Sequence, residues 1–130
     1  MSREYLIRLP WPAKELSSNS RAHWGVKSRA TKAARYAGKV LALEMGVNMP
    51  MPDAELRFSY HPPTRARRDA QNMPHMLKAS IDGIADAMGC DDHGFRCVFP
   101  PEFSDVTKGG CVLCHIVPRA VIIPLKGYIS

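Results

Sequence analysis

Three aspartates flank one predicted helix and suggest phosphate chemistry. Asp69 lies just before a helical pattern over about residues 73–88, and Asp91 and Asp92 lie just after the glycine that should end it. Because the exit of a strand and the exit of a helix can meet in space, we expect these carboxylates to converge. Converging carboxylates hold magnesium, which prefers hard oxygen ligands and keeps several waters.

Cations surround these carboxylates. Three arginines crowd Asp69 from its N-terminal side, at Arg65, Arg67 and Arg68, and arginine pairs with phosphate in a forked geometry. Lys78, within the helix, would place positive charge beside a reacting phosphate. The simpler interpretation is a surface pair between Lys78 and Asp82, which contributes only about 0.3–0.5 kcal/mol. Gln71, His75, Lys78 and Asp82 share one face if the helix extends back that far.

A second predicted helix, over about residues 22–45, carries a row of cations at three- and four-residue spacing. Its apolar stripe is predicted at Val26, Ala30, Ala33, Ala37, Leu41 and Met45. No acidic residue occurs between Arg21 and Leu43, so the row suits a phosphate backbone, although an ordinary solvated face explains it equally well. The DNA-binding candidates are Arg21, Lys27, Arg29, Lys32, Arg35, Arg65, Arg67 and Arg68.

These residues need elements to position them, and the hydrophobic pattern predicts an α+β fold. Strands are expected over residues 5–9, 54–60, 95–99 and 111–117, with a short edge strand at 121–123. With the two helices this gives the order β-α-β-α-β-β in a single domain over residues 1–130. The serine-rich loop at residues 17–20 should start the first helix, and Asn72 should cap the second. Two helices should pack on one face of a mixed sheet, which leaves the other face or an edge for a dimer partner.

Composition favours a polyanionic partner. The chain has 130 residues, a formal net charge of +6 and a sequence pI of about 9.4, which points first to nucleic acid. No apolar run approaches the roughly 18 residues that a membrane helix needs, and the first residues do not resemble a signal peptide. We therefore expect a cytoplasmic protein without a membrane partner.

The four cysteines allow a zinc site as an alternative. The candidate ligands are Cys90, Cys97, Cys111, Cys114, His93 and His115. Cys111 and Cys114 have zinc-like spacing, but they fall in a predicted strand where residues three apart point to opposite faces. Buried, reduced cysteine is the favoured interpretation.

The ordered set of motifs resembles the RusA family of crossover junction endodeoxyribonucleases, the Holliday junction resolvases. The similar segments run over most of residues 4–117: Leu9-Pro10-Trp11-Pro12, residues 18–24 with Lys27 and Arg29, Arg67-Arg68-Asp69-Ala70-Gln71-Asn72, residues 78–84, Asp91-Asp92 and Thr107-Lys108-Gly109-Gly110. Each segment is short, and the specificity lies in their order.

The resemblance implies a small α+β homodimer that cuts four-way or branched DNA with magnesium, or with Mn²⁺ as a second candidate ion. It also implies a role in recombination and repair, in the cytoplasm of a bacterial or phage-infected cell. Carried over by position, Asp69 and Asp92 would be metal ligands and Asp91 a further one. Lys78 would be the catalytic lysine and Arg68 a phosphate contact.

One departure from the family pattern concerns charge. Gln71 stands where the family has its second aspartate, and it offers a metal only a neutral carbonyl oxygen. At about 4 Å and an effective dielectric of 20, one negative charge attracts a divalent cation by roughly 8 kcal/mol before desolvation. Gln71 thus favours DNA binding with weak or absent cleavage, unless Asp82 restores a carboxylate. Three hypotheses result: a magnesium-dependent endonuclease, a non-catalytic branched-DNA-binding protein, and a zinc-binding interaction module.

Overall fold

The computed structural model describes residues 3–119 and contains the predicted elements in the predicted order. The edge strand predicted at 121–123 lies outside the described residues. The strands and helices are β1 (Tyr5–Pro10), α1 (Trp24–Glu44), β2 (Glu55–His61), α2 (Met73–Met88), β3 (Arg96–Val98) and β4 (Cys111–Val117). Single 3₁₀ turns lie at Lys14–Leu16, Ala70–Asn72 and Asp92–Gly94.

The four strands form one mixed sheet in the order β1-β4-β2-β3. β4 lies in the interior of the sheet and pairs antiparallel with both β1 and β2, whereas β3 runs parallel to β2 at the edge. The register places Ile7 and Phe58 on either side of Cys114. All three side chains are buried, so this row marks the core face of the sheet.

α2 covers that core face with the predicted stripe. Leu77, Ile81, Ile84 and Met88 are at most 4% exposed and belong to the same cluster as the inward side chains of the strands. Gly89 ends the helix in the left-handed conformation, with φ of 72°, which glycine adopts without steric cost.

α1 packs chiefly on α2, and its predicted apolar stripe is confirmed only in part. Ala30, Ala37 and Leu41 are half-buried, and Leu41 packs against the core. Val26 and Met45 are 36% and 47% exposed, and the buried positions of the helix are Gly38 and Ala42. The physical reason is the closeness of the two helices. A Cβ on Gly38 would lie 2.4 Å from the backbone oxygen of Ser80, and one on Gly83 would lie 2.0 Å from that of Arg35. The contact therefore requires residues without side chains, which a search for apolar periodicity does not select.

The polar caps also differ from expectation. The serine-rich loop was expected to start α1, but the His23 side chain caps it by accepting a hydrogen bond from the Gly25 amide at 3.1 Å. Asn72 was expected to cap α2, yet its side chain makes no capping hydrogen bond.

The sheet face opposite the helices carries partly exposed side chains. Leu6 is 51% exposed, and Arg57 and His115 lie on the same face as cross-strand neighbours. No helix within residues 3–119 has the length and apolarity needed to cross a membrane.

The close helix crossing makes a stability prediction. Replacing Gly83→Ala forces a methyl group into the backbone of α1, and we expect a loss of about 1–3 kcal/mol in the free energy of unfolding, measured by urea denaturation. Gly25→Ala is the control on the exposed start of α1, where the nearest atom to the new Cβ belongs to the His23 side chain at 3.3 Å. Equal stability of the two variants would contradict the crossing.

Candidate functional site

Lys78 lies between two carboxylates, those of Asp82 on α2 and of Asp92 just beyond it. Its Nζ donates a hydrogen bond to Oδ1 of Asp82 at 2.9 Å and a second one to Oδ2 of Asp92. Asp82 follows on the same helix face, one turn later. Asp92 reaches the same ammonium group because the chain reverses at Gly89 and forms the 3₁₀ turn Asp92–Gly94. This three-residue arrangement is called the lysine clasp below.

The lysine clasp is held by charge. The hydrogen bond from Lys78 lowers the pKa of Asp92 below its usual range, against the opposing effect of burial. The pKa of Lys78 is raised in turn, first by its hydrogen bond to Asp92 and then by that to Asp82. The lysine side chain is 62% exposed, so solvent screens the pair and its contribution to stability is small. At neutral pH the clasp carries one positive and two negative charges, so its net charge is negative.

Asp69 and Asp91 begin the two short turns that flank α2. Oδ1 of Asp69 accepts from the Gln71 amide at 2.9 Å, and Oδ1 of Asp91 accepts from the His93 amide at 3.0 Å. Each aspartate therefore has a structural role as a turn cap, in addition to its role as a candidate ligand. In both aspartates, Oδ2 takes no part in the hydrogen bond that caps the turn.

Gln71 lies in the 3₁₀ turn Ala70–Asn72, because α2 begins only at Met73. The helix does not extend back to Gln71, so Gln71 does not share the helix face of His75, Lys78 and Asp82. The Gln71 side chain is exposed on the turn, at the entrance to the helix that carries the lysine clasp.

The lysine clasp borders a cleft of about 360 Å³ between α1, α2 and the loop at residues 15–18. His75, Lys78 and Asp82 line it from α2, and Lys27 and Thr31 line it from α1. We call this the Lys78 cleft. Two lysines from different helices face the same space, and the carboxylates of Glu15 and Asp82 line it beside them, so the cleft carries charges of both signs.

Asn72 ties the loop before α1 to the start of α2. Its Nδ2 donates to Oγ of Ser17 at 2.7 Å, and its Oδ1 accepts from Oγ of Ser18 at 2.9 Å. These partners are more than fifty residues away in the sequence, so no local spacing revealed them. The link fixes one wall of the Lys78 cleft and explains why Asn72 does not cap α2.

A second cavity adjoins the Lys78 cleft and was missed by the sequence analysis. It measures about 600 Å³ and shares Ser17 and Met76 with the cleft. Trp11 and Phe103 form its aromatic walls, with ring centroids 6.2 Å apart. The remaining lining residues include Pro12, Lys14, Asn19, Pro63, Arg68, Asp69, Asn72 and Met73. We call it the aromatic cavity.

The basic residues divide into exposed and tethered groups. Arg29 and Lys32 are exposed along α1, and Arg65 and Arg67 are exposed on the loop before Asp69. Arg21 lines a shallow groove with Lys14 and Asn19. Two of the predicted DNA contacts, Arg35 and Arg68, are instead engaged within the protein.

Arg35 joins the two helices. Its Nε and NH2 donate to the two carboxylate oxygens of Asp86 at 2.7 and 2.9 Å, and this fork lowers the pKa of Asp86. Arg68 folds over its own loop, donating to the carbonyl oxygens of Thr64 and Ala66 at 2.8 and 2.9 Å. Its guanidinium also lies 5.6 Å from the Trp11 ring centroid. Both side chains therefore organise the site as well as adding positive charge.

The donor atoms near α2 suit magnesium in type. Asp69, Asp91 and Asp92 offer carboxylate oxygens, Gln71 offers a neutral amide oxygen, and Asp82 joins Asp92 through Lys78. Proteins commonly hold Mg²⁺ with one or two carboxylates together with substrate phosphates. Within residues 3–119, no three histidine, cysteine, aspartate or glutamate side chains are arranged to hold a metal ion. The Lys78 ammonium is a stand-in cation here, and it shows that Asp82 and Asp92 can share one positive charge.

The cysteines lie in separate environments. Cys114 is fully buried on the core face of β4, where burial raises the pKa of its thiol well above the usual range. Burial also raises the pKa of Cys97, in the edge strand β3. Zinc takes cysteine as the thiolate, so this environment opposes metal binding at Cys114. The described part of the chain gives the predicted zinc module no group of three ligands.

Comparison with known sequences gives a relative without an assigned function. No protein-family model matches the chain. The sequence is 43% identical over 93 residues to an uncharacterized protein of Xylella fastidiosa, a match that covers 68% of this chain and 61% of that protein. The chain thus spans about three fifths of the length of this relative.

The lysine clasp predicts how its carboxylates respond when the ammonium is removed. In Lys78→Met we expect the pKa of Asp92 to rise, because the hydrogen bond that lowers it most is absent. We also expect Mn²⁺ to bind more tightly, because the carboxylates lose their internal cation. Carboxyl-carbon NMR titration and Mn²⁺-dependent water relaxation measure the two effects.

The linked effect on stability has a definite sign. A carboxylate with a lowered pKa stabilises the fold above the unfolded-state pKa of about 4, and that contribution is lost as pH falls. Lys78→Met should therefore lose less stability on acidification than the native protein. Lys32→Met is the control, since it removes an exposed lysine from α1. If Asp92 titrates identically in both variants, Lys78 does not hold it.

Proposed function

We propose that this protein binds branched DNA and hydrolyses its phosphodiester backbone in a magnesium-dependent reaction, as a RusA-like homodimer. The observation that carries the proposal is the Lys78 cleft, where a lysine and two carboxylates lie beside a second lysine from α1. The ordered RusA-like motifs supply these same residues. In this proposal the protein acts in the cytoplasm of a bacterial or phage-infected cell, in DNA recombination and repair.

The cationic side chains would bind and orient the DNA. Arg29 and Lys32 lie exposed along α1 and would follow a phosphate backbone, since lysine and arginine neutralise phosphates irrespective of base sequence. Lys27 and Lys78 would then receive a phosphate in the cleft between the helices. Arg65 and Arg67 extend the same positive charge toward Asp69.

Asp69, Asp91 and Asp92, with the amide oxygen of Gln71, are the proposed metal ligands, and Asp82 is a further candidate. Within residues 3–119 no three acidic side chains are grouped as a metal site, so the proposal places the metal on one or two carboxylates together with DNA phosphates. Magnesium, when bound, provides Lewis-acid charge at the phosphate that is cut. Lys78 is positioned to release its carboxylates and to turn its ammonium toward the negative charge that develops on that phosphate. Its 62% exposed side chain has the freedom to make that change.

The homodimer follows from the substrate. Symmetrical cutting of a four-way junction needs two sites on opposed strands, and a two-fold dimer provides them. The sheet face that carries Leu6 and Arg57 lies opposite both helices. It is therefore available to a second subunit without covering the Lys78 cleft.

A second candidate is a branched-DNA-binding protein that does not cut. It is favoured by Gln71, which removes one negative charge from the family's ligand set, and by Lys78, which pairs with two of the remaining carboxylates. Both features weaken divalent-cation binding and reduce the repulsion of DNA phosphates. The cationic surface of α1 is the same in the two candidates.

A cleavage assay with a Gln71→Asp variant separates the two functions. The native protein should cut a labelled four-way junction in magnesium, symmetrically and in preference to a linear duplex of the same length. Gln71→Asp should cut faster, because it restores a metal-ligand charge. Asp92→Asn is the inactive control that should still bind. Junction binding without cutting by the native protein, together with cutting by Gln71→Asp, would establish the second candidate. Failure of both proteins to prefer the junction would contradict the proposed function.

The role of α1 is tested by the salt dependence of binding. Replacing Arg29→Gln and Lys32→Gln together should make the slope of log K against log salt shallower by about 0.9 for each phosphate that the variant no longer neutralises. Fluorescence anisotropy of a labelled junction measures the slope. Arg96→Gln, on the edge strand β3, is a matched control. An unchanged slope in the α1 variant would mean that Arg29 and Lys32 are ordinary solvated side chains that do not contact DNA phosphates.

A further inference from the structure

We propose that the aromatic cavity receives an unpaired nucleobase from the DNA bound at the Lys78 cleft. This inference rests on the proposed function and adds a base-recognition site to it. It assigns Trp11 and Phe103 as the stacking residues and Arg68 as the cation that organises the entrance.

The walls of the cavity suit a flat aromatic ligand. Trp11 and Phe103 are both half-buried, so each ring keeps a part of its surface open to the cavity. The rings are tilted by 45° at a centroid distance of 6.2 Å, so a base would stack on one of them and not between them. Met73 and Met76 add a polarisable floor from α2. The volume of about 600 Å³ lies within the range of roughly 300–1,000 Å³ that is usual for small-ligand pockets. Bases stack on such aromatic side chains whatever their sequence.

The positions of these walls are fixed by the backbone. The Ser104 amide donates to the Tyr60 carbonyl oxygen at 2.8 Å, and the Thr107 amide donates to that of Pro62 at 2.9 Å. These bonds hold the β3–β4 connection along the end of β2, which sets Phe103 against the core. The site is therefore formed before a ligand arrives.

The polar rim matches a nucleotide. Lys14 and Arg68 bring positive charge for the phosphate that follows the base, while Ser17 and Asn19 offer hydrogen-bonding groups to a base edge. Arg68 already lies over the Trp11 ring, 5.6 Å from its centroid, so a base would stack on the part of Trp11 that the guanidinium leaves open, or on Phe103. A purely apolar ligand would leave this rim unpaired.

Position favours a base from the same DNA over an independent small molecule. The aromatic cavity and the Lys78 cleft share Ser17 and Met76, so a strand whose phosphate enters the cleft passes the mouth of the cavity. Bases at a branch point are less constrained than bases in a duplex, so taking one out of its stack costs less there. The cavity would thus distinguish branched DNA from linear duplex.

Tryptophan fluorescence tests this inference, because the chain has only two tryptophans. Trp24, 76% exposed on α1, is replaced in a Trp24→Phe protein so that Trp11 is the sole emitter. This protein is titrated without divalent cations with a four-way junction and, separately, with a linear duplex. Anisotropy of fluorescein-labelled DNA reports binding in parallel. We expect the junction to quench Trp11 emission at saturation and the duplex to leave it unchanged.

The outcomes separate the two proposals. Junction binding with unchanged Trp11 emission would overturn the base site and leave the proposed function standing. Equal quenching by junction and duplex would overturn the base site as well, since a paired base cannot enter. Absence of junction binding in the anisotropy measurement would overturn the proposed function and this inference with it.

A substitution gives an independent measurement. Phe103→Ala should weaken junction binding roughly 5- to 150-fold, the range for removing one aromatic side chain on which a base stacks, with duplex binding unchanged. Val106→Ala is the control from the same connection, where the side chain is 42% exposed. An equal loss of junction and duplex binding in Phe103→Ala would contradict the inference, and thermal unfolding verifies that both variants are folded.

Discussion

The backbone contact between α1 and α2 is the constraint on which the candidate site depends. Gly38 and Gly83 let the helices approach until a single methyl group would overlap the opposite main chain. Because the helices are so close, Lys27 on α1 and Lys78 on α2 face one cleft, and Arg35 can reach Asp86 with both ends of its guanidinium. A wider helix spacing would separate the cations of α1 from the carboxylates of Asp82 and Asp92.

The sequence predicted the parts of the molecule that follow local patterns. The order of elements, the bounds of α2 and β4, and the buried stripe of α2 agree with the structure because apolar spacing and glycine stops are local signals. The buried face of α1 was predicted only in part, because the close contact with α2 is decided by two glycines, which carry no hydropathy signal. Asn72 was assigned as a cap because its partners, Ser17 and Ser18, are distant in sequence. The aromatic cavity was missed for the same reason, since Trp11 and Phe103 meet only in the fold.

The electrostatics of the site place opposite demands on the same residues. The carboxylates of Asp82 and Asp92 attract a cation, and the Lys78 ammonium already provides one. Gln71 is neutral, so it adds no negative charge that would favour the binding of a second cation. The exposed ammonium of Lys78 can leave its carboxylates when a phosphate approaches, because water still solvates it. A buried ammonium could not separate from its partners in this way, because an unpaired charge in the interior has a large desolvation cost. In the proposed function, the approach of a DNA phosphate would therefore shift the balance between metal and lysine at these carboxylates.

The position of β4 has a consequence for how the chain acquires its structure. This strand, the last of the described elements, is the one that joins β1 to β2. Until residues 111–117 are available, β1 and β2 lack the strand that lies between them. The pairing of β1 with β4 also joins residues that are about a hundred positions apart in the sequence. Such topologies fold more slowly than those rich in local contacts. Until β4 pairs with them, β1 and β2 each have an unpaired edge, and unpaired strand edges favour aggregation.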